Sequence, residues 1–186
     1  MEWIGITGSC RVTNNEVERD VRAAVRKIIE RGDGIVTGGA FCVDWFATDE
    51  ALKLDGSAAQ IKVCIPVRFA LYAAHYRRRA EEGLIAHEQV RELVGQLAAL
   101  NVANSDALLW HPTNTVVDRA AHFDRNSHVV SLSNRLLAFH VNGSDGVQDT
   151  IDKALRKGKP VGVKKYVITE TWCGQRGDSP RTLLHP

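Results

Sequence analysis

EWIGITGSCR, residues 2–11, is an apolar run that breaks into a glycine-bearing turn, and a helical pattern follows it from Glu16. The same grammar recurs twice. GIVT (34–37) runs into Gly38-Gly39-Ala40 and on to Asp44, and RLLAFHV (135–141) runs into Gly143-Ser144-Asp145-Gly146. Each run reads as a buried strand, and each turn opens a helix pattern. A helix N-terminus carries unpaired N–H groups and partial positive charge, so it attracts anions. Three such turns at one edge of a parallel sheet would make a phosphate-binding crevice.

Outward from these turns, strand-like and helix-like periods alternate, which specifies an α/β fold. Val17, Val21, Ala24, Val25, Ile28 and Ile29 form one apolar stripe over 16–31. A second helix is expected over 43–54, and IKVCIP (61–66) is a third strand stopped by its proline. The stretch 69–104 reads as two helices parted near Gly83. That is longer than a usual crossover, so it is expected to be a helical insertion forming a lid or an interface. ALLWH (107–111) is a fourth strand, and TVVDRAAHFDRNSHVV (115–130) reads as helix throughout. A helix over 147–157 stops at Gly158 and Pro160, VGVKKYVI (161–168) is the last strand, and residues 169–186 form an irregular tail. The expectation from the pattern is a single α/β domain over 1–168 with the 69–104 helical insertion.

The bulk numbers narrow the function. The chain has 186 residues, 44% hydrophobic and 25% charged, with a formal charge of +2. Near-neutrality argues against coating long duplex nucleic acid and leaves room for a local basic groove. Cysteines at 10, 42, 64 and 173 make no CxxC pair, so neither a disulfide framework nor a zinc knuckle is expected. The seven histidines show no HxxxH or HExxH spacing, and no metal site is expected. No apolar run approaches the ~18 residues of a membrane span, and no signal peptide precedes the first strand. The expected compartment is the cytosol.

The blocks GITGSCR (5–11), IVTGGAFCVDWFATDEAL (35–52), DRNSHVVSLSNRLLAF (124–139) and NGSDGVQDTIDKALRKGKPV (142–161) resemble, in this order, the SLOG superfamily of DNA-processing protein A and the Lonely Guy (LOG) proteins. The resemblance implies a Rossmann-like domain, a doubly wound, mostly parallel sheet with helices on both faces that binds nucleotides or nucleic acid at the carboxyl ends of its strands, and a homodimer. GSCR resembles the family's GSR phosphate turn with Cys10 inserted. GGAFCVD resembles GxAxGxD, with Cys42 where glycine is typical. Arg125-Asn126 is similar to a helix-heading pair in DNA-processing protein A, and GSDG resembles the last phosphate turn. LOG hydrolases carry a catalytic glutamate where this chain has Thr150, and Asp149 is one position off. That places LOG-type hydrolysis in doubt.

The residues expected to touch a ligand are therefore Gly8, Ser9, Arg11, Gly38, Gly39, Asp44, Arg125, Asn126, Gly143, Ser144 and Gly146. Each has a plainer reading beside it. Ser9 could cap the first helix, Asp44 the second, and Ser144 or Asp145 the last. Trp3, Trp45, Phe46 and Trp110 read as core rather than base-stacking surfaces. Arg77-Arg78-Arg79 reads as a solvated helix face. Three functions stay open, the third being an assembly protein whose 69–104 helices mediate oligomers while the pocket stands empty. One is a binding protein for a nucleotide, another phosphorylated small molecule, or single-stranded nucleic acid; no cofactor is assigned beyond such a nucleotide ligand. The second is a nucleotide hydrolase using Asp118, Asp124 or Asp149 as acid–base groups.

Overall fold

In the computed structural model, residues 1–169 are described, so the tail expected over 169–186 lies outside them but for Thr169. The strands are β1 (Trp3–Gly8), β2 (Gly34–Thr37), β3 (Ile61–Ile65), β4 (Leu108–Trp110), β5 (Arg135–Val141) and β6 (Val161–Tyr166). The helices are α1 (Asn15–Glu30), α2 (Val43–Leu54), α3 (Phe69–Glu81), α4 (His87–Ala103), α5 (Arg119–Leu132) and α6 (Asp145–Arg156). All pairings are parallel, in the order β4-β3-β2-β1-β5-β6. This is a Rossmann-like α/β arrangement.

The order follows from where each helix hides its apolar stripe. Val17, Val21, Val25, Ile28 and Ile29 bury one side of α1, and α1 packs with α2. Their shared core takes Ile4 and Ile6 of β1, Ile35 of β2 and Val63 and Ile65 of β3. Successive side chains on a strand point to opposite faces. The alternate residues Val36 and Cys64 accordingly meet Val129 of α5, while Leu136 and Ala138 of β5 meet Val147, Ile151 and Ala154 of α6. The chain thus winds outward from β1 to β4, crosses back and adds β5 and β6. The order reverses between β1 and β5, the place where an open α/β sheet offers a ligand crevice beyond the carboxyl ends of its strands.

Three expectations shift. Leu93, Leu97 and Leu100 of α4 and Tyr72 of α3 are fully buried in the main core, so the 69–104 helices make the β3-to-β4 connection rather than standing off as a lid. Residues 115–117 are not helical. Asp118 adopts extended backbone and its Oδ1 accepts from Ala121 N–H at 2.8 Å, so α5 starts at Arg119. Such a cap takes up one of the helix's free amides, and the apolar spacing ahead of Asp118 did not reveal it. The last strand ends at Tyr166, and Ile168 is instead strapped to the Asn142 side chain by two hydrogen bonds of 2.8 and 2.9 Å.

Candidate functional site

The candidate site is the set of loops that leave the carboxyl ends of β1, β2 and β5. The β1 loop is shaped by Ser9. Its buried Oγ accepts from the amides of Arg11 at 3.3 Å and Val12 at 3.1 Å. Capping of α1 falls to Asn14, whose Oδ1 accepts from Val17 N–H at 3.0 Å, which corrects the reading of Ser9 as the cap. Five residues separate Ser9 from α1, so this turn does not open the helix directly. Arg11 and Cys10 are exposed on the loop. Gly8 lies beneath α2, where an added Cβ would meet Val43 side-chain carbons at 2.5 Å.

The β2 turn is filled by the protein's own charges. Asp44, in the first turn of α2, accepts from Ala40 N–H at 3.3 Å and pairs with Arg125 of α5 at 3.2 Å. Burial pushes the Asp44 carboxyl up, with the Arg125 guanidinium opposing it. A Cβ at Gly38 would come within 1.3 Å of Arg125 Nη1, so this glycine makes room for the guanidinium. Gly39 takes φ +62°, and its carbonyl accepts from the Tyr72 hydroxyl at 3.0 Å. Cys42 sits at φ +59°, a region that disfavours side chains. His122, one turn before Arg125, is held neutral down to a pKa of about 4, first by burial and then by Arg125 and His75.

The β5 turn is different in kind. Gly143 takes φ +68°, and Ser144 makes no side-chain cap bond to α6. An added Cβ at Gly143 or Gly146 would meet nothing within 4 Å. Here the first amides of a 12-residue helix have no side-chain cap beside open space. Asn126 reaches this end from α5, donating to the Asp149 carboxylate at 3.1 Å and to the Gly146 carbonyl at 3.4 Å. Asp149 also pairs with Lys153 at 2.6 Å.

Two of the three expected acid–base candidates have structural partners. Asp118 caps α5, Asp149 holds Asn126 and Lys153, and Asp124 is exposed on α5. Thr150, standing where LOG hydrolases carry glutamate, is buried and donates its hydroxyl to the Gly146 carbonyl at 2.9 Å. Trp110 overturns its reading as core: it is 41% exposed at the carboxyl end of β4. Phe46 is buried, and Trp3 and Trp45 are partly buried.

Two residues near these loops escaped the sequence reading as site residues. Tyr72 and Tyr76 lie in the 69–104 stretch, which gave no sign of reaching the β2 turn. His140 is one of the histidines at 111, 122, 128 and 140 whose clustering in sequence points to some of them lining the crevice, and it continues the inward alternation of Leu136 and Ala138 with a polar side chain. A cleft of about 400 Å³ between α3 and α4, lined in part by Arg77, His87, Val90 and Arg91, lies on the helical layer away from these loops.

No protein-family model matches the sequence, and no curated protein matches it. Among solved structures, the chain is similar to DNA processing protein A from Helicobacter pylori, described for its single-stranded DNA binding mode. Identity is 19%, over 91% of this chain and 68% of that one, with a TM-score of 0.65. It also matches DNA processing protein A from Streptococcus pneumoniae at 13% identity, over 87% of this chain and 58% of that one, with a TM-score of 0.48. At such identities the first of these likenesses establishes a shared fold of the DNA processing protein A type. Among the described residues, no helix is long and apolar enough to cross a membrane.

Proposed function

We propose that this protein binds single-stranded nucleic acid by its phosphates along the carboxyl edge of the sheet, as a DNA-processing-type protein. The observation that carries the reading is the reversal of strand order between β1 and β5, next to the side-chain-uncapped start of α6. Such a helix start is an anion site by charge and by hydrogen bonding. Three exposed arginines flank the same edge: Arg11 after β1, Arg68 after β3 and Arg119 at the start of α5. The +2 net charge fits a local track of this kind better than a duplex-coating surface. The Helicobacter pylori protein, which shares the fold, binds single-stranded DNA, and this supports an extended strand over a lone mononucleotide.

Binding of a labelled oligothymidylate, followed by anisotropy over a salt series, tests the proposal. The logarithm of the association constant should fall linearly with the logarithm of salt, by ~0.7 for each phosphate neutralised. Arg11→Ala should reduce that slope by roughly one phosphate's share. A flat salt response would overturn phosphate-driven binding. Tighter binding of a 5′-mononucleotide than of the oligomer would move the reading to a small nucleotide, and release of free base would make the protein a hydrolase.

A further inference from the structure

We infer that His140 is a ligand-contacting residue of this crevice, donating from Nε2 to a phosphate oxygen held at the start of α6. The inference rests on the phosphate-binding reading above and adds to it a residue no motif identifies. His140 is 9% exposed, and its Nε2 has no hydrogen-bond partner. A buried polar atom left unpaired costs about 1–3 kcal/mol, so an imidazole at an inward strand position is a liability to the fold alone.

Its placement says what it faces. Leu136 and Ala138 pack against α6, and alternation puts His140 on that same face of β5, two residues nearer the carboxyl end. The β1–β5 ladder ends at Gly8 and Phe139, so His140 stands just past it, level with the Ser9 loop. The chain then turns through Gly143 directly into α6. His140 therefore lies at the reversal of strand order, between the β1 loop and an uncapped helix start. An anion there would give Nε2 its missing partner and would take the free amides of α6 as well. Of the acidic side chains at that end, Asp149 is tied to Asn126 and Lys153, and Asp145, exposed in the first turn of α6, is a charge the anion must outcompete with the help of the His140 and amide donors.

The test compares His140→Leu, which removes the donor, with His140→Gln, which keeps one. The probes are inorganic phosphate, a 5′-mononucleotide and an oligothymidylate, and the two organic probes separate nucleotide from polymer as the source of the phosphate. We expect His140→Leu to fold with a melting temperature at or above wild type and to bind all phosphate probes about tenfold more weakly. That tenfold is the loss of one hydrogen bond of roughly 1.4 kcal/mol. His140→Gln should bind more tightly than His140→Leu, and the His140 ring resonances of wild type should shift on phosphate addition. Unchanged affinity in His140→Leu, with binding still weakened by Arg11→Ala, would overturn this inference and spare the functional reading. A His140→Leu chain that fails to fold, or ring resonances indifferent to phosphate, would overturn it equally. No binding of any probe by wild type would remove both.

Discussion

The guanidinium of Arg125 on α5 reaches over the carboxyl end of β2 and meets the carboxylate of Asp44 on α2 at 3.2 Å. The two helices lie on opposite faces of the sheet, so this contact clasps the two layers at the edge where the crevice opens. Both side chains are nearly buried, 11% and 7% exposed. Breaking one half of such a pair leaves the other charge stranded. Asp44→Asn should cost about 3–5 kcal/mol by urea denaturation, whereas the apolar double replacement Asp44→Leu with Arg125→Met should cost much less. A loss under about 1 kcal/mol in Asp44→Asn would show that Arg125 finds other partners or solvent.

Gly38→Ala tests the same clasp from the backbone side. The new methyl would sit 1.3 Å from Arg125 Nη1 and 2.8 Å from Asp44 Oδ2, so the guanidinium must leave. We expect a destabilisation like that of Asp44→Asn. In an Arg125→Ala background the added methyl should cost less than about 1 kcal/mol, since the obstructing group is gone. Equal costs in both backgrounds would place the strain in the backbone turn instead.

How much of this was legible in the sequence depends on the range of the interaction. The helix over 43–54 and both helices of 69–104 follow from local apolar spacing, and the structure has them. The pair of Arg125 and Asp44 spans 81 residues, and nothing near either residue announces it. Gly38 illustrates the gap. Its bareness reads from the sequence as room for a ligand, yet the atom that occupies the room belongs to this chain. Ser9 illustrates another: a serine after a strand has two local uses, and the distance to the helix, set by Val12, Thr13 and Asn14, decides between them. Trp110 was misread because a short edge strand buries its last residue poorly, and hydropathy alone carries no sign of an edge.

The histidines set a pH dependence with a definite sign. His122 has its pKa lowered to about 4, by burial first and then by Arg125 and His75, and burial lowers His75 and His128 too. In the unfolded chain these groups titrate near ~6.5. Below that value the unfolded state takes up protons that the folded state resists, so stability is full above pH ~6.5 and is lost as pH falls toward 4. Asp20, Asp49 and Asp55 are lowered by their partners and add losses only below ~3.8. Asp44, raised by burial, works in the opposite sense. Comparing wild type with His122→Gln isolates the first effect: the variant should show a flatter fall in unfolding free energy between pH 6.5 and 4. An unchanged slope would mean His122 takes a proton in the folded state with ordinary ease.

The starts of α1 and α6 are unequal, and that inequality separates folding from binding. Asn14 satisfies an amide of α1 with its own side chain, so Asn14→Ala should cost about 1 kcal/mol of stability. Ser144 gives α6 no such bond, so Ser144→Ala should leave the melting temperature close to wild type. If an anion completes the start of α6, phosphate should raise the melting temperature of wild type and of Asn14→Ala by equal increments, because bound ligand stabilises by mass action. Ser144→Asp supplies a carboxylate at the cap position and competes for the same amides. It should stabilise the chain in plain buffer and shrink the increment from phosphate. A phosphate increment undiminished in Ser144→Asp would place the anion elsewhere on the edge, with the exposed arginines rather than at the helix.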